Sequence, residues 1–338
     1  MRTGTSGKAG RLRIALLATA IALHSIAPQA VAQVRILTGT EAADVRIGRD
    51  LADFVAKAVD IELDVLPSSG SPESFKRLYA EPDVNLAVVQ QDVYEAFLAQ
   101  GARSKATAGG PPPPRVVLSL FDKEIHFIAR ADAPFEYLHQ IRDARINAGP
   151  PGSGSAVSTE AIYRLMFGKA PGENRASFLP HEEALVNLVT DRTIDVVAVA
   201  AGQPATLLAN MKPEARRYIR LLKLDPTHPA SKAALRRYAA ATIRAASYPS
   251  LLAEDVQSLA VKMYLVTLDF RDHAIETRLI RFGGSLCRNF WDLQAKGHPK
   301  WREVEPTLAP LPGGWTYYPP TRDELRHCRR PAMRARAR

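Results

Sequence analysis

Between Val34 and Gln100 short apolar runs alternate with stretches of helical spacing, and this alternation narrows the possible folds more than any other feature of the chain. Val34-Arg35-Ile36-Leu37 reads as a strand. Ile47, Leu51, Phe54, Val55 and Ala58 then recur at helical intervals over 43–59. Ile61 to Leu66 is strand-like, Pro72 to Tyr79 helical, Val84 to Val89 strand-like, and Asp92 to Gln100 helical again. Parallel neighbours need long crossovers, so a β-α-β-α-β order predicts a mostly parallel sheet with helices on both faces.

Gly109-Gly110 and Pro111 to Pro114 interrupt the pattern as an exposed connector. It then restarts, with strands at Val116 to Leu120, Ile125 to Arg130 and Arg145 to Asn147. A glycine-rich loop follows, then a helix over Ala156 to Phe167. Glu182 to Thr190 and Pro204 to Met211 read as helices, Ile194 to Ala200 and Tyr218 to Leu224 as strands. Beyond about residue 240 the pattern reads as helical, with Val256 to Val266 and Asp272 to Gly283 the clearest pieces, and Pro306 to Pro320 as irregular packing. Two α/β units predict two lobes, and ligands of such sheets sit at the carboxyl ends of the strands. The expected ligand site is the cleft between them.

The formal net charge of +10 comes entirely from the two ends. Arg2, Lys8, Arg11 and Arg13 lie in residues 1–32, six arginines lie in 326–338, and neither segment holds an acid. The body between them is balanced, so no basic nucleic-acid face is expected. The apolar run Ile14 to Ile26 behind Arg11 and Arg13, closed by Ala30-Val31-Ala32, has the form of a secretory leader cleaved after Ala32. It is far shorter than the ~20 residues that span a bilayer. The protein is therefore expected to be exported, with 326–338 a flexible basic tail. In an oxidising compartment Cys287 and Cys328 are expected to pair. Two free thiols, or a metal site with His327, are the alternatives; the metal site lacks a third ligand at suitable spacing.

Three loops sit at a strand's carboxyl end and before a helix. They are Thr38-Gly39-Thr40-Glu41, Ser68-Ser69-Gly70-Ser71 and Gly149-Pro150-Pro151-Gly152-Ser153-Gly154-Ser155. Each places hydroxyls and glycines where helix N–H groups lack internal partners, an arrangement that attracts anions and equally serves plain N-capping. The third loop is no nucleotide-binding P-loop, because Ser155 stands where the phosphate-reaching lysine must follow Gly154. His181-Glu182-Glu183-Ala184-Leu185 begins like a zinc-protease helix, but Leu185 replaces the second histidine. No Gly-x-Ser-x-Gly elbow is present. His126 reads as a hydrogen-bonded core or rim residue. No catalytic residue, metal or cofactor is assigned, and the chain is read as a binding protein and not an enzyme.

Val65-Leu66-Pro67-Ser68-Ser69-Gly70-Ser71-Pro72-Glu73-Ser74-Phe75, followed by Asp83 to Val93 with its Gln90-Gln91-Asp92 strand end, resembles the TAXI family of TRAP-transporter solute-binding proteins. Arg145 to Ser155 is similar to that family's Gly-Pro-Pro-Gly-Ser-Gly-Thr segment, and Asp195-Val196-Val197 with Gly202-Gln203-Pro204 to a later turn. The resemblance spans nearly all of 33–325. It implies a two-lobed periplasmic binding protein of type II-like α/β fold, with a hinged cleft between two mostly parallel sheets. Residues 33–125 and 240–325 would form lobe I and 126–239 lobe II. It further implies a periplasmic monomer that captures a small organic anion, glutamate-like or a dicarboxylate, and delivers it to a TRAP-type membrane permease. A sensory module docking on a membrane receptor shares these features, and a secreted hydrolase is a third reading.

The implied ligand contacts are Thr38, Gly39, Thr40, Ser69, Gly70, Ser71, Gln90, Gln91 and Asp92 from one lobe, and Ser153, Gly154 and Ser155 from the other. Gly202 and Pro204 would shape the rim. The first loop departs from the family: Glu41-Ala42-Ala43-Asp44-Val45-Arg46 replaces the usual glycines and tyrosines. Gln91 also stands where serine is usual, so no particular substrate is carried over.

Overall fold

The computed structural model describes residues 32–104, 113–270 and 272–328. The expected leader up to residue 31, most of the Gly/Pro connector and the basic stretch from residue 329 lie outside these residues. The first half opens with β1 (Ala32–Gly39), α1 (Ala42–Asp50), β2 (Ile61–Ser68), α2 (Ser71–Ala80), β3 (Val84–Gln90) and α3 (Gln91–Ser104). A long strand, β4 (Pro114–Arg130), leads to β5 (Ile146–Asn147), α4 (Gly154–Phe167), β6 (Ala176–Ser177), α5 (His181–Val186) and β7 (Val196–Ala201). Then come α6 (Thr206–Ala209), β8 (Ile219–Leu221), α7 (Pro229–Leu235), β9 (Ala239–Ile243), β10 (Val256–Leu268), α8 (His273–Lys296) and α9 (Pro319–Leu325).

The strand order is β2-β1-β3-β10-β4-β7-β5-β6, with β8 added to β4 and β9 to β10. Pairing is parallel among β1, β2 and β3 and among β5, β6 and β7. It is antiparallel wherever β4 or β10 takes part. The expected two parallel sheets thus run into one another through two antiparallel strands shared by both lobes. At about 3.3 Å per residue, the 17 residues of β4 are long enough to serve both. Between the pairs Ser119↔Tyr264 and Asp122↔Lys262 two residues of β4 oppose one of β10, a bulge at the crossing from one lobe to the other.

Two sequence expectations are corrected here. Val256 to Val266 is not helical but lies in β10, hydrogen-bonded to β3, β4 and β9. Both faces of this central strand are covered, so its side chains lose the polar-apolar alternation that marks a strand in sequence. The two strands expected at 116–120 and 125–130 are one. The charged residues between them stay in the ladder because each has a partner: Asp122 takes Lys262 at 2.9 Å, Lys123 takes Asp44 at 2.7 Å, and Glu124 takes Lys300 at 2.6 Å.

Each lobe has an apolar core on either face of its part of the sheet. In the first, Ile36, Leu86, Phe121 and Leu265 pack under α8, and Leu37, Phe75, Val89 and Tyr264 lie on the other side. In the second, Ile125, Phe127, Val196 and Leu259 form one core and Ile128, Val197, Val199 and Val256 the other. On α8 the buried Leu279, Phe282, Leu286, Phe290 and Leu293 recur every three or four residues, so one stripe faces the sheet. Each such side chain stabilises by about 1.5–3 kcal/mol when fully buried. Cys287 on α8 is disulfide-bonded to Cys328 beyond α9, with Cα atoms 5.2 Å apart. Closing the 41-residue span stabilises by roughly 4 kcal/mol in the chain-entropy picture.

Candidate functional site

The carboxyl ends of β1, β2 and β3 and the loop before α4 open on one cavity of about 630 Å³. Two helices aim their N-termini at it, one from each lobe. On α2 the first intrahelical bond runs from Ser74 N–H to Gly70 O, leaving the preceding N–H groups outside the helix ladder. Ser71 Oγ accepts from Gln90 N–H at 2.9 Å, which ties the helix start to the end of β3. On α4 the N-cap Ser153 accepts from Ala156 N–H at 3.2 Å, and Ser155 Oγ accepts from Ala200 N–H at 3.0 Å. Both hydroxyls are thereby oriented as acceptors, and each retains a proton to donate.

The two helix starts meet closely. Gly70 has φ +144°, and a Cβ there would lie 3.0 Å from Gly154 N. A Cβ on Gly154 would overlap the Gln90 carboxamide. Glycine at both positions lets the two main chains approach each other across the cleft. Gln90 spans this approach, donating from Nε2 to Ser158 Oγ at 2.9 Å and to Gly154 O at 3.4 Å.

A second wall carries charge. Glu41, Asp44, Lys123, His181 and Glu182 all line the same cavity. Lys123 Nζ donates to Asp44 Oδ2 at 2.7 Å, and both side chains are 4% exposed. Burial pushes the Glu41 carboxyl above its ordinary range; Lys123 opposes this, and the charges of Asp44 and Glu182 reinforce it. Burial lowers the pKa of His181 and so favours the neutral imidazole, with Glu182 acting against it.

Of the residues named from sequence, Gly39, Thr40, Ser69, Gly70, Ser71, Gln90, Ser153, Gly154 and Ser155 line the cavity. The other five do not. Thr38 is fully buried at the end of β1, where its carbonyl accepts from Ser68 Oγ. Gln91 turns along α3 to Glu95, at 2.9 Å. Asp92 is a strut between the lobes: its Oδ2 accepts from Ser158 Oγ at 2.6 Å and Tyr238 OH at 2.8 Å, and Oδ1 from Val93 N–H. Burial raises its pKa against these bonds. Gly202 packs between Ala43 and Lys300, and Pro204 follows a cis peptide bond. His126 is buried, its ring nitrogens 2.9 Å from Tyr248 OH and 3.3 Å from Val199 O, and burial holds its pKa down at about 4.

Lys123, His181 and Glu182 were not assigned to the site from sequence, and Glu41 and Asp44 entered only as part of the first loop's departure from the family. The run Asp122-Lys123-Glu124 inside an apolar stretch was the available signal, since charges kept within a buried strand need partners.

A model of the NMT1-like family matches residues 36–275. None of the curated proteins matches the chain. Solved structures of similar shape include the CA3427 gene product of Candida albicans, described as having the generic periplasmic binding protein fold. It is 13% identical over 87% of this chain and 89% of that one, with a TM-score of 0.47. XAC2383 from Xanthomonas citri bound to ATP is 15% identical over 86% and 94%, with a TM-score of 0.45. The periplasmic aliphatic sulphonate binding protein SsuA from Escherichia coli is 15% identical over 77% and 75%, with a TM-score of 0.42.

Proposed function

The chain belongs to the NMT1-like family, and from that premise we propose that it is an extracytoplasmic solute-binding protein that captures a small organic acid without altering it. One observation carries this reading: the N-termini of α2 and α4, one from each lobe, come together and line a single cavity. N–H groups of these two helix starts and the Ser153 and Ser155 hydroxyls would donate to a carboxylate, and the helix dipoles add to the attraction. The volume suits a small metabolite. The shared strands β4 and β10, bulged where they pass between the lobes, supply a hinge for closure on the ligand.

Delivery to a TRAP-type membrane permease is the finer part of the proposal. It rests on the TAXI-like Gly149 to Ser155 segment and the Gln90-Gln91-Asp92 strand end. The leader-like N-terminus supports a periplasmic location, and no helix among the described residues is long and apolar enough to cross a membrane.

A thermal-shift screen of amino acids and organic acids on the purified protein tests the reading. A ligand at about a hundred times its Kd stabilises by about 2.7 kcal/mol, a readily measured shift. In Ser153→Phe the bulky ring would fill the approach to α4, and the ligand-induced shift is expected to vanish while circular dichroism stays native. An unchanged shift would place binding elsewhere.

A further inference from the structure

The cavity is electrically lopsided. Besides the donors of α2 and α4, its lining holds three carboxylates, Glu41, Asp44 and Glu182, against the single ammonium of Lys123. That ammonium is already committed, 2.7 Å from Asp44 Oδ2. Asp44 is 3% exposed, lines the cavity, and its second oxygen, Oδ1, has no hydrogen-bond partner. Buried carboxylate oxygens are nearly always supplied with a donor. Here the protein offers none to Oδ1. Nor does the neighbouring His181 add a positive charge, because its burial favours the neutral ring. A dianion placed here would meet the donors of two helix starts but also three carboxylates of like charge.

We propose that the ligand is an amino-bearing organic acid whose cationic nitrogen binds at the Glu41–Asp44–Glu182 wall. This rests on the proposed function, which assigns the carboxylate to the α2 and α4 N-termini. The ammonium N–H groups complete Asp44 Oδ1 and offset the mutual repulsion of the three acids. Glu41 and Asp44 thereby discriminate against dicarboxylates and acids without nitrogen.

Isothermal titration of the full chain with matched pairs tests this: 4-aminobutyrate against butyrate, 5-aminovalerate against valerate, and α-amino acids against their des-amino counterparts, with succinate as a dicarboxylate. A charge-assisted bond to a buried carboxylate predicts that the amine-bearing member of the recognised pair binds at least about tenfold tighter. In Asp44→Asn that advantage should largely disappear. Because this variant also strands Lys123, Glu41→Gln and Glu182→Gln provide the same readout at less buried positions. In each the preference for the amine should shrink several-fold while the weak affinity for its des-amino partner holds or rises. Equal affinities within the pairs, tighter binding of succinate, or a preference unmoved by Glu41→Gln and Glu182→Gln would overturn this inference and leave organic-acid binding standing. If no acid of either kind binds, the proposed function and this inference fall together.

Discussion

Consecutive residues of β4, Lys123 and Glu124, each enter a buried ion pair, yet the two pairs are finished differently. Around Glu124 every polar atom is answered. Oε1 accepts from Lys300 Nζ at 2.6 Å and Gln203 Nε2 at 2.8 Å, and Oε2 from Gln203 N–H at 3.0 Å. Lys300 also donates to the Asp122 carbonyl and to both oxygens of Glu303. Around Lys123 the network stops at Asp44, a residue of the cavity lining whose buried Oδ1 has no hydrogen-bond partner. A closed network of this kind fixes geometry, here the join between the crossing strand, the Gln203 turn and the segment at Lys300. An open one beside a cavity is half of a contact whose other half comes from outside.

The largest expected effect is on the closed network. Lys300→Met leaves Glu124 and Glu303 without their buried cation, and breaking such a pair costs about 3–5 kcal/mol. Urea unfolding of the purified variant should show this loss. Lys123→Met strands Asp44 instead, but beside a cavity where its carboxylate can turn toward water. The expected loss is smaller, about 1–3 kcal/mol. Equal losses in the two variants would erase the distinction between the networks.

Much of the first lobe was legible in the sequence because its parallel strands read as short continuous apolar runs and its amphipathic helices carry a period of 3.6. The Ser69–Ser71 and Ser153–Ser155 loops were legible for a related reason: a cap and a glycine turn between strand and helix are local features. What the sequence hid depends on long-range pairing. β10 looks helical because both of its faces are covered: Leu265 packs in the core that holds Leu279 and Phe282 of α8, and Tyr264 in the core on the other face that holds Phe75 and Tyr94. Asp122, Lys123 and Glu124 look like a break between two strands because their partners, Lys262, Asp44 and Lys300, come from three separate elements. The charged wall of the cavity was therefore missed along with the continuity of β4. Asp92 misled in the opposite sense. Its place at the end of β3 suggested a ligand contact, but Ser158 and Tyr238 draw its carboxylate inward.

The smallest expected effect sharpens the same comparison through pH. Each network holds an acid that burial pushes above its ordinary value of 4.5, Glu303 in the closed one and Glu41 in the open one. Lys300 answers Glu303 directly at both oxygens, whereas at Glu41 burial prevails over the attraction of Lys123 and the like charges of Asp44 and Glu182 add to it. For a carboxyl whose folded pKa lies above its unfolded one, the native state holds more protons in the window between the two. Stability therefore falls as pH rises through that window, and the deficit is complete above the folded pKa. Glutamine at position 41 has no charge to desolvate. In the ligand-free protein Glu41→Gln should match the wild type at pH 4 and gain on it progressively toward pH 7, as followed by thermal melts. The same sign applies to Glu303→Gln, but there the gain is offset by the two bonds to Lys300 that the variant gives up, so its rise toward pH 7 should be the smaller of the two. A flat difference for Glu41→Gln across this range would mean that its carboxylate is already compensated inside the protein, and the wall would then need no cation from a ligand.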